Sequence, residues 1–352
     1  MNRKEKVTIY DISKKLDISA ATVSRALNQN PKISKKTREL VAKTAKEMNY
    51  KQNRLAQALK SGRTNNVGVI VPYINRSFFS SVIRGIEEEL NPHGYHVIIC
   101  QSHEEVKNEI KQLNALLNTQ IDGIFMSVSK TTQNTDHVKK ALAENTPLIF
   151  FDRKIETPGV SSVVLDDFKA GFMATEHLIQ EGCKKIAHLS GDINLEIYKN
   201  RYEGYIAALE KYGLNHNPEH VILTNSKIES GQQAVVRLWE CEEKPDAIFS
   251  AGDYAALGAI QELKRRNIKI PEEVCVVGFS NEPFTKYMEL PITSMDQTPQ
   301  LMGKIAAQVF LEQVKENLAV SIEKKVVLSP ELFVRESSGR SILKTAANKA
   351  LL

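Results

Sequence analysis

Hydrophobic positions in this chain follow a helical period at first and then alternate between strand-like runs and helical stretches. Thr8-Ile9-Tyr10-Asp11 has the form of a capping box, a hydroxyl followed three residues later by an acid. It predicts a short helix with Ile9, Ile12 and Leu16 on one face. Asp17-Ile18 makes a turn, and Ser19 caps a second helix from Ala20 to Leu27 that buries Val23, Ala26 and Leu27. Ser34 caps a third helix reaching about Met48, with Val41, Ala45 and Met48 inward. Two short helices, a tight turn and a supporting third helix describe a helix-turn-helix.

After residue 66 the pattern changes. Apolar runs at Val67–Val71, His96–Cys100, Gly123–Val128 and Leu148–Phe151 are separated by amphipathic stretches at 77–91, 104–118 and 134–145. A second series of runs, Ile186–Leu189, Val221–Leu223, Ala247–Ser250 and Val274–Val277, goes with helices near 199–212, 229–241, 254–266 and 299–317. Strand–helix alternation predicts parallel doubly wound sheets, and two series predict two lobes. Ligands of such sheets bind beyond the carboxyl ends of the strands. The polar residues there are therefore candidates: Asn75, Ser127 and Ser129, Asp152-Arg153 and Asp166-Asp167 in the first lobe, then Asp192, Asn194, Asp253 and Ser280-Asn281 in the second. A solvated loop would show the same residue types.

Charge sharpens the division. The 352 residues carry a formal net charge of +5, but residues 1–66 hold sixteen basic and five acidic side chains, +11, which leaves −6 for the rest. A basic head on an acidic body is the footprint of polyanion binding by one end, although a solvated lysine-rich surface would look the same by charge alone. No run of 18 apolar residues occurs, and the N-terminus lacks the apolar core of a signal peptide. Cys100, Cys183, Cys241 and Cys275 are far apart with no CxxC pair, so neither a metal site nor a disulfide is expected, and the setting is cytoplasmic.

On the second helix, the small Ala20 and Ala21 allow close approach to DNA, and their methyls suit a thymine methyl. Arg25 has the fork to bond guanine bidentately. Thr22, Ser24 and Asn28 suit phosphates or base edges.

The residues Val7-Thr-Ile-Tyr-Asp-Ile-Ser13, Ile18-Ser-Ala-Ala-Thr-Val-Ser-Arg-Ala-Leu-Asn28, Ile33-Ser-Lys-Lys-Thr-Arg38 and Leu55-Ala-Gln-Ala-Leu-Lys-Ser-Gly-Arg-Thr64 resemble the head of the LacI/GalR family of bacterial regulators. Asp17 stands for the usual turn glycine, Asn49 for the glycine before Tyr50, and Gln52 for a common proline. The resemblance implies a hinge helix over 53–61, ordered on DNA, whose Leu59 wedges into the minor groove. An ordinary Leu55–Leu59 helix seam is the alternative. With Thr8, Ser19, Ala20, Ala21, Thr22, Ser24, Arg25, Asn28 and Ser34, the residues Asn53, Ala56 and Leu59 complete the expected DNA contacts.

The resemblance extends into the body. Asn75-x-x-Phe78-Phe79, Val164-Leu-Asp166-Asp with Gly171, Arg201-x-x-Gly-Tyr205, Asp253-x-x-Ala-x-Gly258 and Val276-Val-Gly-Phe-Ser280-Asn281 match family segments. They imply an effector site formed by Asn75, Phe78, Phe79, Ser127, Asp166, Arg201, Asp253 and Ser280. Ser280 stands where an aspartate is usual, which removes a charged acceptor for a sugar hydroxyl. The expected organisation is α/β: a helix-turn-helix head (1–50), a hinge helix and linker (51–66), a two-lobed body like a periplasmic binding protein (67–340), and a tail (341–352) too short for a tetramerising coiled coil.

Three function classes compete. An α/β enzyme is disfavoured because GxxxxGK[ST], GxSxG, HExxH and a strand-coupled GxGxxG are all missing, and lone histidines such as His177 and His188 suit structural roles. A solute-binding transport component fits the body but not the basic head. The expectation is a transcriptional repressor that binds a palindromic operator as a homodimer, controlled by a sugar or related metabolite, with no cofactor and no metal.

Overall fold

The computed structural model describes residues 7–51, 63–315 and 323–340. They divide into two compact units, one up to Thr64 and one from Asn65 onward. The expected hinge residues Asn53, Ala56 and Leu59, and the tail from 341, lie outside the described residues.

The head holds α1 (Ile9–Leu16), α2 (Ala20–Leu27) and α3 (Lys35–Glu47) around Ile12, Val23, Ala26, Val41 and Ala45. Its ends are set locally. The Thr8 N–H and hydroxyl both donate to Asp11, at 2.8 and 2.7 Å. Ser19 accepts from the Thr22 N–H at 3.1 Å, and Ser34 from the Thr37 N–H at 3.2 Å. Asp17 (φ 50°) and Asn49 (φ 52°), which replace family glycines, both occupy the left-handed region, where Asp and Asn are the side chains that substitute most readily for glycine.

The body opens with β1 (Asn66–Val71), α4 (Ser77–Leu90), β2 (His96–Gln101), α5 (Val106–Asn118), β3 (Gly123–Met126), α6 (Asp136–Ala143), β4 (Leu148–Phe151) and β5 (Ser161–Leu165). A second group follows. It comprises α7 (Asp167–Gln180), β6 (Ile186–Ser190), α8 (Glu196–Lys211), β7 (Val221–Leu223), α9 (Ile228–Leu238), β8 (Ala247–Ser250), α10 (Asp253–Arg265), β9 (Cys275–Phe279), α11 (Phe284–Tyr287) and β10 (Thr293–Asp296). The described chain ends with α12 (Pro299–Lys315), β11 (Lys325–Leu328) and β12 (Glu331–Phe333).

Two six-stranded sheets result, ordered β11-β5-β4-β3-β1-β2 and β12-β10-β9-β8-β6-β7. The first is wholly parallel; in the second, β12 runs antiparallel to β10. The lobes are not the two consecutive series expected from periodicity. Helix α12, expected in the second lobe, packs on α4, β4 and β5 of the first. Its Phe310 stacks edge-on against Tyr95 and Phe125, at 5.2 and 5.7 Å. The chain thus passes between lobes three times: from β5 to α7, from β10 to α12, and from β11 to β12.

Glycines in the matched motifs turn out to serve helix packing. A Cβ at Gly204 of α8 would lie 2.1 Å from the Phe168 carbonyl oxygen of α7, and one at Gly171 2.1 Å from that of Arg201. The same reciprocal pairing joins Gly231 with Gly258 between α9 and α10, and Gly85 with Gly303 between α4 and α12.

Candidate nucleic-acid interface and interlobe cleft

Helix α2 buries Val23 and Ala26 and leaves Ala21, Arg25 and Asn28 exposed, with Ala20, Thr22 and Ser24 partly so. Among the described residues the Arg25 side chain has no ion pair or hydrogen bond, so its fork is free for a ligand. Thr8, Ser19 and Ser34 are helix N-caps, which ties their hydroxyls first to the fold. Asn28 folds back, its amide donating to the Ser24 carbonyl at 2.9 Å. This face offers small methyls, hydroxyls and one guanidinium, a set matched to base edges and phosphates.

In the body, the carboxyl ends of both sheets face a cavity of about 590 Å³. Asn75 and Arg76 after β1, Lys130 after β3, and Asp152 and Arg153 after β4 line it from the first lobe. Lys227 after β7, Asp253 and Tyr254 after β8, Ser280 and Glu282 after β9, and Gln297 after β10 line it from the second. Phe78 and Phe79 form an apolar wall, with Tyr198 and Arg201 contributed by α8. The lobes touch across it: the Ser77 hydroxyl donates to Glu282 at 2.5 Å, and the Arg76 guanidinium lies 4.3 Å above the Tyr254 ring.

Arg201 is the electrostatic centre. It is 3 % exposed and donates to Asp167 at 2.7 Å and to the Ala251 carbonyl at 3.1 Å, with its guanidinium 3.5 Å above the Phe279 ring. Burial pushes the Asp167 carboxyl up to about 6 although Arg201 opposes it. Burial likewise raises Asp253 to about 7, against the Glu282 N–H and Ser294 hydroxyl that bond it at 2.8 and 2.7 Å. Asp152 is raised by burial too, opposed by Arg153 and Arg201. Burial disfavours the Arg153 charge, but Glu104, 2.8 Å away, and Asp152 together outweigh it and hold the group above its ordinary value. Ser280 has φ 107°, a sparsely populated conformation for a serine, and its hydroxyl accepts from Gln297 at 2.9 Å.

Of the expected effector residues, Asn75, Phe78, Phe79, Arg201, Asp253 and Ser280 share this cavity. Ser127 and Asp166 do not. Ser127 is fully buried, and its hydroxyl donates to Asp152 at 3.1 Å, so it supports the wall from behind. Asp166 caps α7 by accepting from the Lys169 N–H at 2.9 Å, and it is the next residue, Asp167, that meets Arg201. Asn194 lines a separate cavity of about 220 Å³ behind Asp152 and Arg153. Arg76, Lys130, Lys227, Tyr254 and Glu282 carried no motif; their signal was position alone, in loops that follow strands. His188 is fully buried, and burial lowers it to about 3, so it is a neutral core residue.

No helix among the described residues is long and apolar enough to cross a membrane. The model for bacterial regulatory proteins of the lacI family matches residues 8–53, and that for periplasmic binding proteins and the sugar binding domain of the LacI family matches 64–336. Catabolite control protein A of Priestia megaterium is 33% identical over 319 residues, spanning 90% of this chain and 95% of that protein. The HTH-type transcriptional repressor PurR of Haemophilus influenzae is 29% identical over 333 residues, 94% of this chain and 98% of its own. Among solved structures, a complex of the transcriptional regulator CelR with cellobiose superposes with a TM-score of 0.70 at 27% identity, over 94% of this chain and all of that one. Members of this family are transcriptional regulators rather than enzymes. The chain belongs to the LacI family of bacterial transcriptional regulators, with a helix-turn-helix DNA-binding head and an effector-binding body.

Proposed function

We propose that this regulator acts as a cytoplasmic repressor, binding a palindromic operator as a homodimer and releasing or tightening its hold when a small molecule enters the interlobe cavity. The observation that carries this reading is the cavity itself, lined from both lobes by loops at strand ends and bridged by Ser77–Glu282 and Arg76–Tyr254. A ligand touching both walls changes the balance between open and closed lobes, and three chain crossings at one edge restrict that change to a rotation. Asn75, Arg201, Asp253 and Ser280 are the polar anchors of the ligand, and Phe78 and Phe79 its apolar wall.

In the head, Arg25 reads base edges with Ala20, Ala21, Thr22, Ser24 and Asn28 beside it. Thr8, Ser19 and Ser34 present helix N-termini to phosphates, and Asn53, Ala56 and Leu59 form the hinge contact. Exposed Ile98 and Ile99 on edge strand β2 give the body an apolar surface for a second copy. The PurR relative is named a repressor and the CelR neighbour holds cellobiose, which supports repression and a sugar-like ligand.

The test is selection of duplexes from a random pool with the full chain. Enrichment of a palindrome is expected, and any compound that changes operator affinity must bind with its own affinity changed by the same factor when operator is present. Indifference to DNA sequence overturns the reading.

A further inference from the structure

Charge pairing inside the cavity is incomplete. Its acids are already engaged. Glu104 accepts from Arg153 at 2.8 Å and from the Lys130 N–H at 3.0 Å, and Asp152 from Ser127 at 3.1 Å. Asp253 is held by the Glu282 N–H and Ser294, and Glu282 by Ser77. Arg201 pairs with Asp167, and Arg153 with Glu104 at 2.8 Å and Asp152 at 3.8 Å. Three further cations line the same space with no acid at ion-pair distance among the described residues, Arg76, Lys130 and Lys227, while Asp253 and Glu282 there are held by neutral donors alone. Among the described residues the Arg76 guanidinium meets only the Tyr254 ring, and neither lysine ammonium has an ion pair or hydrogen bond.

The lysine-bearing loop is built, not loose. Fully buried Glu109 accepts from the Ser129 N–H at 2.6 Å, Thr132 at 3.0 Å and His137 at 2.8 Å, which fixes the residues on either side of Lys130. Burial also weakens one opposing charge at neutral pH, since it raises Asp253 to about 7. Helices α4 and α10 start on the cavity wall with Arg76 and Gly252 at their N-caps and no side-chain cap, so their positive ends add to the same field. Ser280 contributes a hydroxyl, not a carboxylate.

We propose that the ligand of this cleft is a hydroxylated small molecule bearing an anionic group, a phosphate monoester or a carboxylate, seated among Arg76, Lys130 and Lys227. This rests on the reading of the cavity as the effector site. The hydroxyls of the ligand meet the engaged carboxylates, which keep spare lone pairs, and the anionic group gives the three cations the ion-pair partner that none of them has. A volume of about 590 Å³ accommodates a mono- or disaccharide of this kind.

The experiment is calorimetric and thermal-shift titration of the full chain at constant ionic strength. The probes are glucose, glucose 6-phosphate and glucuronate, ribose and ribose 5-phosphate, and inorganic phosphate alone. The anionic members are expected to stabilise the protein and their neutral parents not, with the phosphate and carboxylate arms telling the two sources apart. In the variant Lys130→Gln/Lys227→Gln the affinity for the anionic member falls by at least about tenfold, because charge-assisted hydrogen bonds are lost. The variant Lys107→Gln/Lys111→Gln, on the exposed face of α5, retains it. Persistence of the shift in Lys130→Gln/Lys227→Gln places the anion elsewhere, on the basic head for example, and overturns the proposal. So does the absence of any shift with every anionic probe. Stabilisation by neutral sugars alone overturns it too, yet leaves the cleft as the effector site. If that site assignment itself is wrong, neutral and anionic probes alike leave operator affinity unchanged.

Discussion

Replacing Arg201 by methionine should expose the cost of a buried charge directly. The arginine and Asp167 are each about 4 % exposed at the side chain, so neither is solvated by water. Removing one partner of such a pair leaves the other uncompensated, at a cost of about 3–5 kcal/mol. For a body of this size that corresponds to a fall in Tm on the order of 10 °C. The loss should depend on pH. Burial already raises the Asp167 carboxyl to about 6 with the arginine present, and it must rise further once the opposing cation is gone. A carboxyl raised in the folded state is stabilising when protonated, and that contribution is lost as pH rises through its folded value. Above about pH 8 the variant therefore shows its full deficit. As pH falls toward 6 its carboxyl takes up a proton that the parent's does not, and the gap narrows by at most about 1.4 kcal/mol per pH unit. Below 6 both proteins gain alike. Urea titrations of Arg201→Met at pH 8 and pH 6, with Asp167→Asn/Arg201→Met as the control that abolishes the narrowing, test this. A deficit equal at both values, or below about 1 kcal/mol, would refute the argument.

Three other outcomes follow from the geometry. Gly204→Ala drives a Cβ into the Phe168 carbonyl of a neighbouring backbone and should cost about 1–3 kcal/mol in a melting experiment; an unchanged Tm would mean that α7 and α8 separate freely. Asn49→Gly should raise head stability by about 0.5 kcal/mol or more by relieving a left-handed side chain, and Asn49→Ala should lower it, both read by denaturant titration. Arg25→Ala should cost about 1–3 kcal/mol per operator half-site while weak binding to unrelated duplexes survives, since lysines still meet phosphates; equal losses on both duplexes in an anisotropy titration would remove Arg25 from base reading.

What could be read without coordinates was whatever depends on neighbours in sequence. Ser19 and Ser34 announce helix starts because a cap acts within three residues, and the strand of Val67–Val71 shows as an apolar run because both its faces are covered. The cleft was legible in outline, since strand-end loops are where parallel sheets present ligands. Periodicity identifies α12 as a helix but carries no information about which sheet its apolar side covers, so chain order groups it with the second lobe while it packs on the first. Asp166 and Asp167 differ by one position, yet one caps a helix while the other, a third of a turn round, reaches Arg201. No pattern of residue types distinguishes those two directions. Arg76 and Lys130 carry no signal in the sequence, because an isolated cation in a loop looks solvated until the wall around it is known.

The three passages between lobes also set an order for synthesis. By the time residue 165 has left the ribosome, five strands of the first sheet exist, but Phe125 and Tyr95 still lack the ring of Phe310 that covers them. That helix and the outer strand β11 arrive only with residues 299–328. The lobe begun first is therefore closed only after nearly all of the second has emerged, and β12, the last strand, then completes the second. Through most of translation the nascent chain carries an open apolar face, and a chain stopped before residue 299 has no means of closing it.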